Sequence, residues 1–218
     1  MSSSSSSAQI IPQQYFGTQL DSLCALLPRP IIMTGVFRDV LSRHFVSPDY
    51  IESPDLRHLI WRAGEDTGIL IESIHRWRPE LTEHRPAVIV KRNAYSNTRR
   101  GFGDRRQGPP ADIDGFAHYI TFWTGSHTLF CIGGSGAQAE ILGSEVQREF
   151  TQFGPELARA LDLKRIQVTE IGAVAELEEA QANYVVPVTV GYTYEERWIV
   201  RPQVPRLNKI SMSMLFEF

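Results

Sequence analysis

Residues 183–200, NYVVPVTVGYTYEERWIV, can be read only one way, and that reading constrains the rest of the chain. From Tyr184 the apolar side chains fall on every second position (Tyr184, Val186, Val188, Val190, Tyr192, Tyr194), while Val185, Pro187, Thr189, Gly191 and Thr193 share the other face. A period of two is a strand with one buried face. Eleven such residues would span on the order of 36 Å, long for a strand, so the spacing predicts a strand that bends, with the bend near Pro187 or Gly191. Pro187 has no N–H for a ladder, which predicts an edge or a bulge at that point.

A chain of 218 residues with 42% hydrophobic side chains can bury a sizeable core as one domain, or as one domain with an arm. The net charge of -3 hides an asymmetry: residues 1–109 carry 14 basic and 11 acidic side chains, residues 110–218 carry 8 and 14. Halves of opposite sign suit head-to-tail contacts between copies, or a basic loop facing something anionic, although ordinary surface variation gives the same imbalance. Cys24 and Cys131 lie in apolar surroundings (LCALL and LFCIG) and read as small buried hydrophobes in a reducing compartment. No run of about 18 apolar residues predicts a membrane span. The start, MSSSSSSAQ, lacks the basic and apolar regions of a signal peptide and reads as a flexible polar tail.

Along the chain, the apolar burst LDSLCALL is closed by Pro28 and Pro30, which end any helix there. Thr34 is the expected cap of a helix through GVFRDVLSRHF, with Val36, Phe37, Val40, Leu41 and Phe45 as its apolar stripe, stopped by Pro48. Residues 55–62 are a shorter helical candidate, and residues 69–77 and 86–93 read as strands. Residues 95–115 are almost free of apolar side chains and rich in Gly and Pro, predicting a long exposed loop. FAHYITFW and HTLFCI, separated by Thr-Gly-Ser, read as a hairpin. Two helices follow, at 137–150 and 155–163, sharing the stripe Ile141, Leu142, Val146, Phe150, Phe153, Leu157 and Leu161. A strand at 165–171, an acidic turn, the long alternating strand and a proline-broken tail complete the order. Strands on both sides of a central helix pair predict an α+β fold, with a mixed, largely antiparallel β-sheet packed against that helix pair and extended N- and C-terminal arms.

Four constellations bear on chemistry. In GGSGAQA, Gly134, Gly136 and Ala139 formally satisfy G-x-G-x-x-A, but no further βαβ unit follows, and Ala137 stands where a hydrolase elbow needs glycine. Ser135 is more simply a helix N-cap. His75, His84, His118 and His127 lie on or beside candidate strands, and a hairpin could bring His118 and His127 together; no HxH or HExxH spacing supports a metal site. Glu176, Glu178, Glu179, Glu195 and Glu196 lack the partners a divalent metal site requires and read as solvated. Lys91, Arg92, Arg99, Arg100, Arg105 and Arg106 place six positive charges within sixteen residues against Asp104 alone, interleaved with Tyr95 and Phe102. That loop suits DNA, but the net charge is negative and no nucleic-acid-binding fold signature is present, so a solvated loop or one facing an acidic neighbouring protein is the favoured reading.

The block EVQREFTQFGPELARALDLKRIQVTEIG, followed by ELEEAQANYVVPVTVGYTYEERWIV, resembles the C-terminal half of the tail-terminator, or tail-completion, proteins of tailed bacteriophages. The shared order is a long helix, a strand, an acidic turn, a long alternating strand and an aromatic closing residue, here Trp198. RPAVIVKR and the long loop after it are similar to that family too. The resemblance covers about residues 34–200 and does not account for the segment 1–33 or the tail after Pro205; the expected organisation is a flexible arm at 1–33, a single α+β domain at 34–200 and a tail at 201–218. It further implies a structural virion protein without enzymatic activity, cofactor or metal: a ring, typically a hexamer, assembled in the host cytoplasm, that terminates the tail tube and joins it to the head-side neck. Its partners would be itself, the tail tube protein, the head-side connector protein and packaged DNA in the lumen, with no membrane. The arm and tail exceed the compact form of the family, which leaves a stopper or adaptor of the same neck as an alternative. A small hydrolase using the GGSG turn and a nucleic-acid-binding module using the basic loop remain the competing classes.

Overall fold

The computed structural model describes residues 9–12, 30–64, 67–78, 86–98, 117–177 and 183–201. These form an α+β fold with a mixed sheet. Among the described residues the strands are β1 (Gln9–Pro12), β2 (Leu70–Ser73), β3 (Ala87–Arg92), β4 (Ser96–Thr98), β5 (Ala117–Gly133), β6 (Leu163–Ile171), β7 (Ala175–Glu176) and β8 (Tyr184–Arg201). The helices are α1 (Pro30–His44), α2 (Gly136–Gln152) and α3 (Gly154–Ala160). The described residues fall into two compact units. The smaller draws on residues 1–25, 99–121 and 196–218; in it β1 pairs antiparallel with the end of β8, Gln9 opposite Arg201 and Pro12 opposite Trp198.

The larger unit, from residues 26–98 and 122–195, holds the core. Its strand order is β8-β5-β3-β2, with β4 on β5 and with β6 and β7 on β8. The pairs β3–β5, β4–β5, β6–β8 and β7–β8 are antiparallel, whereas β2–β3 is parallel. On one sheet face the even-numbered stripe of β8 (Val186, Val188, Val190, Tyr192, Tyr194) meets Val88, Val90, Leu129 and Cys131 beneath α1 and α2. Alternate residues of the same strands, Leu70, Ala87, Ile89 and Ile132, build a second, smaller cluster on the opposite face. The run AVIV in β3 is therefore buried on both sides, which is why it carries no polar alternation.

The expected stripe of β8 is the buried one, and Ser135 caps α2 as read: its Oγ accepts from Gln138 N at 3.2 Å, and the Gln138 side chain accepts from Gly134 N at 2.9 Å. Pro187 falls where the β8 ladder changes partner, between Ile171–Val188 and Ala175–Val185. Gly172 N donates to Pro187 O there, and a Cβ on Gly172 would come within 2.5 Å of the proline ring. The register shifts lie in β6, between Leu163 and Arg165 and between Val168 and Glu170, so the irregularity belongs to the partner strand rather than to β8.

Four expectations are corrected. Residues 117–133 form one continuous strand, not a hairpin. Gly125 answers a packing demand rather than a turn, because a Cβ there would lie 2.9 Å from the Tyr192 ring. The expected meeting of His118 and His127 rested on that hairpin, and both residues lie on the single strand β5. Residues 55–62 contain only the short 3-10 turn Pro54–Leu56, since Trp61 N donates to Phe45 O and draws the chain away from helical hydrogen bonding. Finally, α1 begins at Pro30, a residue tolerated in a first helical turn, so Thr34 is helical and not a cap.

Candidate functional site

The basic loop read from the sequence is only partly described. Lys91 and Arg92 are exposed neighbours at the end of β3, so they project to opposite sheet faces. Lys91 lies with its ammonium 5.8 Å from the Phe130 ring centre, while Arg92 stands opposite His127. Arg99, Arg100, Arg105 and Arg106 lie outside the described residues, as do Cys24, His84, Glu178 and Glu179. Glu176 is exposed in β7, and Glu195 pairs with Lys164 at 3.1 Å. Cys131 is buried, which pushes its thiol pKa far up and leaves it an inert core residue. Among the described residues no group of three or more His, Cys, Asp or Glu side chains converges as metal ligation requires.

His127 is wholly buried between aromatic rings, edge-on to Phe37 at 5.0 Å and tilted against Tyr192 at 5.7 Å. The Thr34 hydroxyl donates to Pro30 O at 3.1 Å, so at 2.8 Å it accepts from His127 Nε2–H. His127 Nδ1 has no partner among the described residues. Burial, reinforced by Arg92, lowers the pKa to about 4 even though a Pro30 backbone contact opposes the shift, and His127 is a neutral core imidazole near pH 7.

Among the described residues of the larger unit, a cluster of buried charge involves His44, which has no sequence motif around it. His44 ends α1, and Glu145 and Glu149 lie one turn apart on α2. His44 Nε2 is 3.0 Å from Glu145 Oε1, and His44 Nδ1 is 2.9 Å from Glu149 Oε2. Glu145, with its side chain 1% exposed, also accepts from Glu52 N at 2.9 Å, from Ser53 N at 3.2 Å and from Ser53 Oγ at 2.9 Å. Arg148 bridges Glu52 at 2.7 Å and Glu145 at 3.6 Å. Glu145 thus joins three segments: the end of α1, the connection at residues 52–53, and α2.

The energetics of the cluster follow from these partners. Desolvation works against a charged His44, but hydrogen bonds and charge from Glu149 and Glu145 outweigh it and raise its pKa above 6.5. Desolvation likewise works against ionised Glu145, yet donors from Glu52, Ser53 and His44 outweigh it and hold its carboxyl below the usual range. The C-terminal end of α1 adds partial negative charge beside His44. Above the cluster lies a cavity of about 320 Å³, lined also by Arg43, Tyr50, Gln152 and Phe153. Both ring nitrogens of His44 and both oxygens of Glu145 are engaged, so the arrangement fastens segments together and leaves neither group free as a base or a ligand. The sequence held one signal for it: Glu145 and Glu149 fall within the buried stripe Leu142, Val146, Phe150, where a carboxylate needs a buried partner.

No protein-family model matches the chain, and no curated protein matches its sequence.

Proposed function

We propose that this protein is a structural component of the head-to-tail junction of a tailed bacteriophage: a ring, sixfold by the resemblance above, that terminates the tail tube and carries no catalytic activity. The observation that supports it most is the succession α2, α3, β6, β7, β8: a 17-residue helix and the seven-residue helix after it, a nine-residue strand, a short acidic segment and an 18-residue strand. That is the order on which the resemblance rests. β8 is about three times the usual strand length of 5–6 residues. Its long alternating face suits a scaffold part better than an enzyme, whose chemistry would need free, converging polar groups. The charged cluster is consistent with this, because its members are consumed in holding α1 to α2. In this reading the partners are further copies of the chain, the tail tube protein and the head-side connector, with packaged DNA in the lumen and Lys91, Arg92, Arg99, Arg100, Arg105 and Arg106 as the DNA- or ring-facing basic group. Localisation would be in the virion; no helix among the described residues is long and apolar enough to cross a membrane. The test is an electron-dense tag fused to one terminus and imaged on purified particles. Label confined to the head-proximal end of the tail supports the reading, and label along the tube or absent from particles overturns it.

A further inference from the structure

We propose that His44 is a proton-operated latch: with both ring nitrogens protonated it holds Glu149 against the cavity floor, and on losing the Nδ1 proton it keeps Glu145 and releases Glu149. This is independent of the tail reading. A neutral imidazole has one N–H and one bare lone pair. His44 presents a nitrogen to a carboxylate oxygen on each side, at 3.0 and 2.9 Å, so only the doubly protonated ring donates to both. Once neutral, it would face one carboxylate lone pair to lone pair.

The two carboxylates are not equivalent, and their difference decides which contact breaks. Glu145 has a side chain 1% exposed and accepts from Glu52 N, Ser53 N and Ser53 Oγ besides His44. Glu149 has a side chain 11% exposed, lines the cavity, and His44 is its carboxylate's partner among the described residues. Releasing Glu145 would orphan three donors, whereas Glu149 needs only a rotation towards the cavity. The remaining charges facing His44 are Arg43 on α1, which pairs with Asp39 at 2.9 Å, Glu52 on the connection, and Arg148 on α2, which pairs with Glu52. With His44 charged, three cations face three carboxylates around the cavity. Proton loss leaves it net negative with a free carboxylate at its mouth, between exposed Tyr50 and Phe153, while residues 52–53 stay bound to Glu145. Its pKa is displaced upward, which places the release on the alkaline side of 6.5.

The test is ¹⁵N NMR of the imidazoles in the full-length protein, with His44 assigned by through-bond connectivity to its backbone. In the wild type both His44 nitrogens should read as protonated at pH 6.5, and raising the pH should yield the Nε2–H tautomer. In Glu149→Gln the side-chain amide donates to a bare Nδ1, so the neutral Nε2–H tautomer should persist to lower pH than in the wild type. A neutral His44 in the wild type at pH 6, with the proton on Glu149, overturns the proposal. So does an Nδ1–H tautomer at high pH, which would mean Glu145 is the group released, or an unchanged His44 titration in Glu149→Gln.

Discussion

His44 and His127 are both buried in the larger unit, one 9% and the other 0% exposed, yet their pKa values move in opposite directions. His44 is bracketed by two carboxylates that favour its protonated form; His127 has one hydroxyl, two aromatic faces and a nitrogen without a partner among the described residues, and stays neutral. Burial alone pushes both towards the neutral form. What separates them is whether the surrounding backbone carries compensating charge into the same space, and α2 does so at Glu145 and Glu149 while β5 and β8 do not.

The largest effect that would break this comparison is removal of a carboxylate from the charged site. Glu145→Ala removes one of the two carboxylates of His44, leaving Glu149 alone, and leaves Glu52 N, Ser53 N and Ser53 Oγ without their acceptor. Urea unfolding should show a loss of about 3–5 kcal/mol, the cost of breaking a buried ion pair and leaving its donors unsatisfied. A loss below ~1 kcal/mol would place Glu145 in effective contact with solvent.

The second effect is on pH dependence, where the two histidines have opposite signs. His127 is depressed to about 4 from 6.5, so the unfolded chain binds its proton first and folding stability falls as pH drops from 6.5 towards 4, by about 3 kcal/mol. His44 is raised, so its contribution is complete below 6.5 and is lost as pH rises through its folded-state value. Glu145 is lowered, so its contribution is present above 4.5 and is lost at more acid pH. His127→Phe should flatten the slope between pH 6.5 and 4.5 and leave the alkaline slope intact. Thermal unfolding across that range checks it, and an unchanged acid slope would mean that His127 is not neutral in the fold.

The smallest effect sharpens the neutral side. Thr34→Val removes the acceptor of His127 Nε2–H, and should cost about 1 kcal/mol by urea unfolding. The loss should be equal at pH 6.5 and pH 8, because neither partner changes charge between them. A loss that grows at one of those pH values would show that an ionising group, and not a neutral hydrogen bond, holds this end of α1.

The same contrast explains what the sequence made legible. Periodicity revealed β8, because its alternating face from Val186 to Tyr194 meets one continuous core, and Ser135 was readable because its cap partner lies three residues away. Local grammar failed where a distant neighbour decides. Thr-Gly-Ser resembles a turn, but Gly125 is there to admit the Tyr192 ring, 67 positions along the chain. The parallel pairing of β2 with β3 is likewise a long-range choice that strand propensity does not encode. His44 and Glu145 are separated by 101 positions, so no spacing motif joins them, and only the two glutamates inside a buried stripe hint that a cation must come from elsewhere. The four arginines at 99, 100, 105 and 106 remain a proposal from composition alone.

In the proposed reading the chain assembles into a closed ring, since halves of opposite charge would favour heterologous contacts that propagate head to tail until rotation closes them. Sedimentation velocity of the full-length protein, over a range of concentrations at low and at physiological salt, tests it most directly. The expected result is one discrete oligomer, six copies by the resemblance, whose population falls as salt screens the attraction within about 8 Å. A monomer at every concentration and salt, or an open-ended polymer with no limiting size, would contradict it.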